Sequence, residues 1–183
     1  MKHGFAYLSQ NRFLSVPNDA SNKPFGVAGI PYDGAVTNRP GARFAPAAIR
    51  QASQMLCDGI HPFFNTSPYE FIRDLGDLAT PNTDLTAMRA SLAEQVPALL
   101  AQYHMCWLGG DHSITLGLLR AYRAWAGQPL AVLHFDAHCD TWEDHFGEPS
   151  GHGTWVYEAI TEGLVDPESF VQVGIRSAGV REA

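Results

Sequence analysis

Leu130-Ala131-Val132-Leu133-His134-Phe135-Asp136-Ala137-His138-Cys139-Asp140 is the stretch from which the rest of this chain can be read. It begins as a short apolar run of the kind a buried parallel strand requires. It ends in three metal-capable side chains spaced two residues apart. In an extended backbone successive side chains alternate faces, so this spacing predicts that Asp136, His138 and Asp140 project to one side. Two carboxylates and an imidazole converging at a strand's end make a candidate divalent-metal site.

Upstream, Met105-Cys106-Trp107-Leu108 is a second apolar run, stopped by Gly109-Gly110. Residues 113–125 (SITLGLLRAYRAW) lie between the two runs and place Ile114, Leu118, Ala121 and Tyr122 at helical spacing. Further back, residues 83–103 carry Leu85, Met88, Leu92, Val96, Leu99 and Leu100 in the same rhythm, and Pro97 predicts a kink near that helix's end. Residues 71–77 read as a strand running into an acidic loop, and residues 25–30 as a first strand ended by Pro31. The Gly- and Pro-rich segment 31–46 predicts an ordered loop, with Pro46 opening a short helix over 47–55. Residues 5–14 are expected to pack on the surface. Downstream, a helix over 154–163 leads to a last strand at 170–175. Strands alternating with helices predict an α/β fold, a doubly wound and mostly parallel sheet with flanking helices. In such sheets ligands bind beyond the carboxyl ends of the strands.

The totals agree. At 45% hydrophobic and 17% charged residues the chain is globular rather than disordered. A formal net charge of −7 argues against nucleic acid as a partner, since phosphates call for a basic footprint. Cys57, Cys106 and Cys139 form no C-x-x-C pair and suggest a reducing, cytoplasmic setting. No apolar run reaches a membrane-spanning length.

Two strand ends carry the chemistry. Gly109-Gly110-Asp111-His112-Ser113 follows one, and the paired glycines allow a tight turn that brings His112 to the start of a helix. Asp136-Ala137-His138-Cys139-Asp140 follows the other. If the strands are near neighbours, His112 joins Asp136, His138 and Asp140 around one site, whose oxygen-rich donors suit Mn²⁺ better than a structural Zn²⁺. Cys139 falls on the opposite face by alternation and reads as packing. Asp111 reads either as a brace for a neighbouring group or as a helix cap. His134 lies on the ligand side by parity and reads as a satisfied core histidine, while His104 and His145 lack any supporting pattern. His152, between Gly151 and Gly153, sits in a loop expected to fold back over the site, either to bind substrate or relay a proton there, or as a structural loop residue.

These motifs, taken in order, resemble the ureohydrolase (arginase/agmatinase) family. The resemblance rests on Gly29-Ile30-Pro31-Tyr32-Asp33, the run from Arg39-Pro40-Gly41 to Ile49-Arg50, Gly109-Gly110-Asp111-His112-Ser113, Asp136-Ala137-His138-Cys139-Asp140-Thr141 and His152-Gly153-Thr154. Thr141 and the His-Gly-Thr look like agmatinase or guanidinobutyrase more than arginase. The resemblance implies a two-manganese hydrolase that cleaves a small guanidino compound, agmatine favoured, to urea and an amine. By motif, His112, Asp136 and Asp140 would hold one ion and Asp136 with His138 the other, while His152 would assist proton transfer. It also implies a homo-oligomer, a trimer or hexamer, with the 39–50 segment serving scaffold and subunit contacts.

One departure qualifies this. The family's later S-x-D-x-D carboxylates are absent, and no D-x-D occurs in the 183 residues. Residues 1–183 are therefore expected to be the N-terminal part of a single ureohydrolase domain, truncated on its C-terminal side. The alternatives are a ureohydrolase for another guanidino acid, or a non-catalytic relative acting as an oligomer subunit. A metallophosphoesterase would need Asp-x-His early and Asn-His-Glu later, and this motif order excludes it.

Overall fold

The computed structural model describes residues 11–17, 23–57 and 59–177. The start of the 5–14 segment and the last six residues of the chain lie outside that description. Five parallel-pairing strands alternate with four helices: β1 (Phe25–Ile30), α1 (Ala45–Ser53), β2 (Ile72–Asp77), α2 (Leu85–Leu100), β3 (His104–Gly109), α3 (Ile114–Ala126), β4 (Leu130–Phe135), α4 (Trp155–Thr161) and β5 (Val165–Val173). The strands form a three-stranded sheet in the order β2-β1-β3 and a two-stranded sheet β4-β5. Every paired strand is parallel, as the alternation of strand and helix predicts.

Packing follows strand parity. On one face of the first sheet Val27, Ile72 and Leu108 meet Leu14 and Val16 beneath α1. On the other, Ile30 joins Met88, Leu92, Val96 and Leu100 of α2 and Ile114, Leu118 and Ala121 of α3. Layers on both faces make this part doubly wound. In the second sheet Leu130, Val132 and Phe170 pack on Leu116 of α3 and Trp155, Val156 and Ala159 of α4.

Pro97 does not end α2. It stands in the last turn, where Ala93 and Pro97 are both exposed, so the Ala93 carbonyl that loses its partner can turn to water. Asp84 caps the other end, its carboxylate accepting the Ala87 N–H at 2.9 Å. The last strand starts earlier than the 170–175 reading. Leu130 pairs with Val165 but Val132 with Phe170, so residues 166–169 bulge out of the ladder around Pro167. Among the described residues no helix is long and apolar enough to cross a membrane.

Candidate metal centre

The loop after β3 is fixed before any side chain reaches the site. Gly110 packs its backbone on that of Tyr32, and a Cβ there would collide with the Tyr32 carbonyl oxygen. The Gly110 N–H donates to Ile30 O at 3.1 Å and the Asp111 N–H to Tyr32 O at 2.8 Å. The Asp111 carboxylate accepts the Ser113 N–H and the Ala35 N–H, both at 2.9 Å, so it braces the start of α3 and the loop after β1 together. His112, between these anchored residues, turns its ring toward the end of β4.

Strand β4 ends at Phe135, and residues 136–140 form a bend rather than continued extended chain. Alternation therefore does not govern them, and Asp140 adopts a left-handed backbone, φ 55°. The bend brings Asp136 and Asp140 together with His112 and turns His138 outward, leaving its side chain 67% exposed. His112 Nδ1 lies 2.9 Å from Asp140 Oδ2 and 3.3 Å from Asp136 Oδ2. Each of His112, His134, Asp136 and Asp140 offers one donor atom within 4.8 Å of the others. His138 meets the other Asp136 oxygen, its Nδ1 3.3 Å from Oδ1.

This donor set could hold a cation. His112 Nδ1 and the two carboxylate oxygens converge at hydrogen-bonding range. Trp155 supplies an indole N–H, shared between Asp140 Oδ2 at 2.7 Å and His112 Nδ1 at 3.2 Å. A divalent ion with mixed N and O ligands would relieve that crowding. Burial works against the Asp136 charge, yet the His138 backbone N–H and nearby His112 hold its pKa below the ordinary value. Burial, and then His112, push the His134 pKa down.

His112, Asp136, His138 and Asp140 border a cavity of about 610 Å³ whose lining also includes Thr37, Trp142, Asp144, His145, Phe146 and His152. Residues 141–153 wall it as a small hairpin: His145 and Glu148 exchange backbone hydrogen bonds, and Phe146 and Gly147 turn the corner with φ 55° and 88°. The foot of this wall is tied to α4, where Glu158 accepts the hydroxyls of Ser150 and Thr154 at 2.7 Å. His152 rests half-buried against His145, ring centroids 4.9 Å apart, and burial followed by His145 lowers its pKa.

Geometry brings together His112, Asp136 and Asp140, sets His138 beside Asp136, and places His152 in the lining of the same cavity. It adds residues the sequence reading did not assign. His145 lines the cavity, Trp155 supplies the shared N–H, and Gln172 donates to Cys139 O at 2.7 Å. His134 is buried as expected of a core histidine, but its Nε2 has no hydrogen-bond partner. Cys139 packs aside and accepts the Thr141 hydroxyl at 3.2 Å. His104, at the start of β3, stacks on Phe25 away from the site.

Comparison with known proteins agrees with this picture. Residues 23–183 match the arginase family. Over 163 residues the chain is 42% identical to an agmatinase of Chromobacterium violaceum, covering 87% of this chain and 50% of that protein. It is 36% identical over 176 residues to a guanidinopropionase of Pseudomonas aeruginosa, with coverages of 91% and 53%. A crystal structure described as a hypothetical agmatinase from Burkholderia thailandensis superposes with a TM-score of 0.84 at 36% identity, over 93% of this chain and 56% of that one. The chain spans about half the length of the curated relatives it matches. A family match over most of the sequence and the same α/β fold lead to one conclusion: this chain belongs to the arginase family.

Proposed function

We propose that the chain carries the metal-binding part of a manganese-dependent ureohydrolase that cleaves a guanidino compound, agmatine in preference, to urea and an amine. The observation that carries this is the convergence of His112 Nδ1, Asp136 Oδ2 and Asp140 Oδ2 at the edge of a cavity that His152 also lines. His112, Asp136 and Asp140 would hold one ion and Asp136 with His138 a second, since one Asp136 oxygen lies beside His112 and the other beside His138. Such ions, when bound, supply the Lewis acidity that makes water a nucleophile at neutral pH. Trp155 keeps Asp140 aimed at the site through its N–H. His152, its pKa lowered by burial, would take the proton that the attacking water loses as the C–O bond forms and return it to the amine nitrogen as the C–N bond breaks.

The cavity favours a cationic tail over a carboxylate. Among the described residues no lysine or arginine lines it, whereas Asp144 and the rings of Trp142 and Phe146 do. Aromatic faces and a carboxylate attract an ammonium group, worth about 0.5–1 kcal/mol per exposed ring. The guanidinopropionase relative supports a guanidino acid as the second reading, and the absence of a basic group in the wall weighs against it. Residues 1–183 serve as the N-terminal part of one ureohydrolase domain, in a homo-oligomer (trimer or hexamer) placed in the cytoplasm. Support comes from the shared motifs and the three free cysteines.

Two measurements test the reading. Calorimetric titration with Mn²⁺ is expected to show binding that Asp136→Asn abolishes. Urea release from agmatine, 4-guanidinobutyrate and 3-guanidinopropionate is expected to be greatest with agmatine. Absence of both Mn²⁺ binding and urea release with every substrate rejects the proposal.

A further inference from the structure

His134 is held inside β4 with its side chain 5% exposed. Its ring sits edge-on to Trp155, with centroids 4.8 Å apart and planes at 76°, and to Phe170 at 6.3 Å and 75°. Nδ1 lies 3.0 Å from Gln172 Nε2, and the same amide nitrogen donates to the Cys139 carbonyl at 2.7 Å. Nε2 is buried and faces the donor cluster, 3.4 Å from Asp136 Oδ2, with no aligned hydrogen bond.

These contacts locate the proton on His134. The Gln172 amide cannot be turned around, because its oxygen would then meet the Cys139 carbonyl oxygen at 2.7 Å, two acceptors with no proton between them. Its nitrogen therefore faces both neighbours, and its two N–H groups go one to Cys139 O and one to His134 Nδ1. An accepting Nδ1 leaves the proton of a neutral imidazole on Nε2. A nitrogen that carries a proton has no lone pair to give a cation.

We propose that His134, although it lies among the metal-capable donors, is a positioning residue rather than a ligand. Gln172 fixes its tautomer, and its Nε2–H donates to Asp136 Oδ2 and orients that carboxylate. One amide on β5 thus sets both ends of the 136–140 bend, Asp136 through the imidazole and Asp140 through the Cys139 carbonyl next to it in the chain. A reach of 3.4 Å closes to a hydrogen bond with a small rotation of the Asp136 carboxylate. The partner of a buried ligand carboxylate matters because it decides which lone pair remains for the cation. The inference depends on the metal reading only for the purpose of the bond, not for the tautomer.

A long-range ¹⁵N–¹H correlation spectrum of the metal-free 183-residue chain tests the tautomer directly, with His134→Gln identifying the signals. The expected result is an unprotonated Nδ1 and a protonated Nε2; the reverse pattern overturns the proposal. Mn²⁺ affinities of variants test the role. His134→Leu and Gln172→Leu are each expected to weaken Mn²⁺ about 10–100-fold, whereas His134→Gln, whose amide N–H replaces the Nε2–H, stays within about threefold of the parent. Equal losses in His134→Gln and His134→Leu make His134 a ligand and overturn it as well. If the unmodified chain binds no Mn²⁺, the metal reading fails and the spectrum alone decides the hydrogen bond, so the two ideas fail separately. The spectrum needs only the unmodified fold, which covers the case of a leucine variant that does not fold.

Discussion

The two sheets of this molecule solve burial differently. The three-stranded β2-β1-β3 sheet is covered on both faces, and its buried charge is neutralised internally. Arg50, fully buried in α1, donates to both Asp74 oxygens at 2.7 and 3.0 Å and also pairs with Asp77. Among the described residues the two-stranded β4-β5 sheet is covered on one face only. Its other face shows Leu133 at 59%, Phe135 at 70%, Val171 at 52% and Val173 at 43% exposure. The donor-rich bend hangs from this half-covered sheet, while the fully covered sheet contributes His112 on a braced loop. The difference separates a scaffold from the part whose carboxylates and imidazoles crowd at the edge of the cavity, and each prediction below tests that separation.

The largest effect is expected at Arg50. Arg50→Met removes the guanidinium and leaves Asp74 and Asp77 buried without their partner, which costs about 3–5 kcal/mol of stability. Chemical denaturation measures this, and a loss below about 1 kcal/mol removes the scaffold from the comparison. The two sheets are compared next by one chemistry at two sites. Leu92→Ala empties a fully buried position between α2 and Gly117 and is expected to cost about 2–5 kcal/mol. Leu133→Ala on the bare face is expected to cost less than about 0.5 kcal/mol. Similar losses at both positions mean that the bare face is covered in solution.

Metal sharpens the contrast from the other side. A ligand at about 100 times its dissociation constant stabilises the folded state by about 2.7 kcal/mol. Thermal melts with Mn²⁺ are expected to show a shift of that order in the unmodified chain and none in Asp140→Asn. Hydrogen exchange should place the gain in residues 134–142 and in the loop at 109–113, not in β1 or β2. Uniform protection across both sheets argues that the ion stabilises the whole fold and that the division drawn here is too sharp.

How much of this was legible in the sequence divides along the same line. Strands and helices of the covered sheet declared themselves through local pattern, because apolar runs closed by Gly or Pro and 3.6-residue periodicity are local signals. The start of β5 did not, since Pro167 and the bulge of residues 166–169 interrupt its pattern although Val165 still pairs with Leu130. At the site, the types and positions of His112, Asp136 and Asp140 were readable, but not how they converge. Alternation was assumed where the backbone bends, and a left-handed Asp140 has no signature in its own identity. Contacts between distant residues were not readable at all. Trp155 reaches Asp140 and His112, Gln172 reaches His134 and Cys139, and His145 meets His152 because the chain returns, not because of any motif around them.

A further test concerns acid and the loop that carries Thr37 to the cavity. Asp33 follows β1 with its side chain fully buried; it accepts the Gly41 N–H and the Arg43 Nε–H, both at 2.6 Å. Burial alone opposes its charge, but the Arg43 side chain and the two backbone N–H groups outweigh that and hold its pKa below the ordinary value. A carboxyl whose folded pKa is depressed stabilises the fold fully above its unfolded pKa, about 3.9, and loses that contribution as pH falls through the folded value. Arg43→Met removes the main depressing group, so its acid-unfolding midpoint, followed by circular dichroism, is expected to move upward toward pH 4. At pH 7 the same variant should lose about 1 kcal/mol, because Arg43 is partly exposed and its ion pair is screened. Mn²⁺ affinity at pH 7 should stay unchanged, since Asp33 and Arg43 brace the loop after β1 rather than the bend after β4. Coincident acid midpoints for the two proteins remove the Asp33–Arg43 pair from the account, and a loss of Mn²⁺ affinity in Arg43→Met shows that this loop and the bend after β4 act as one unit.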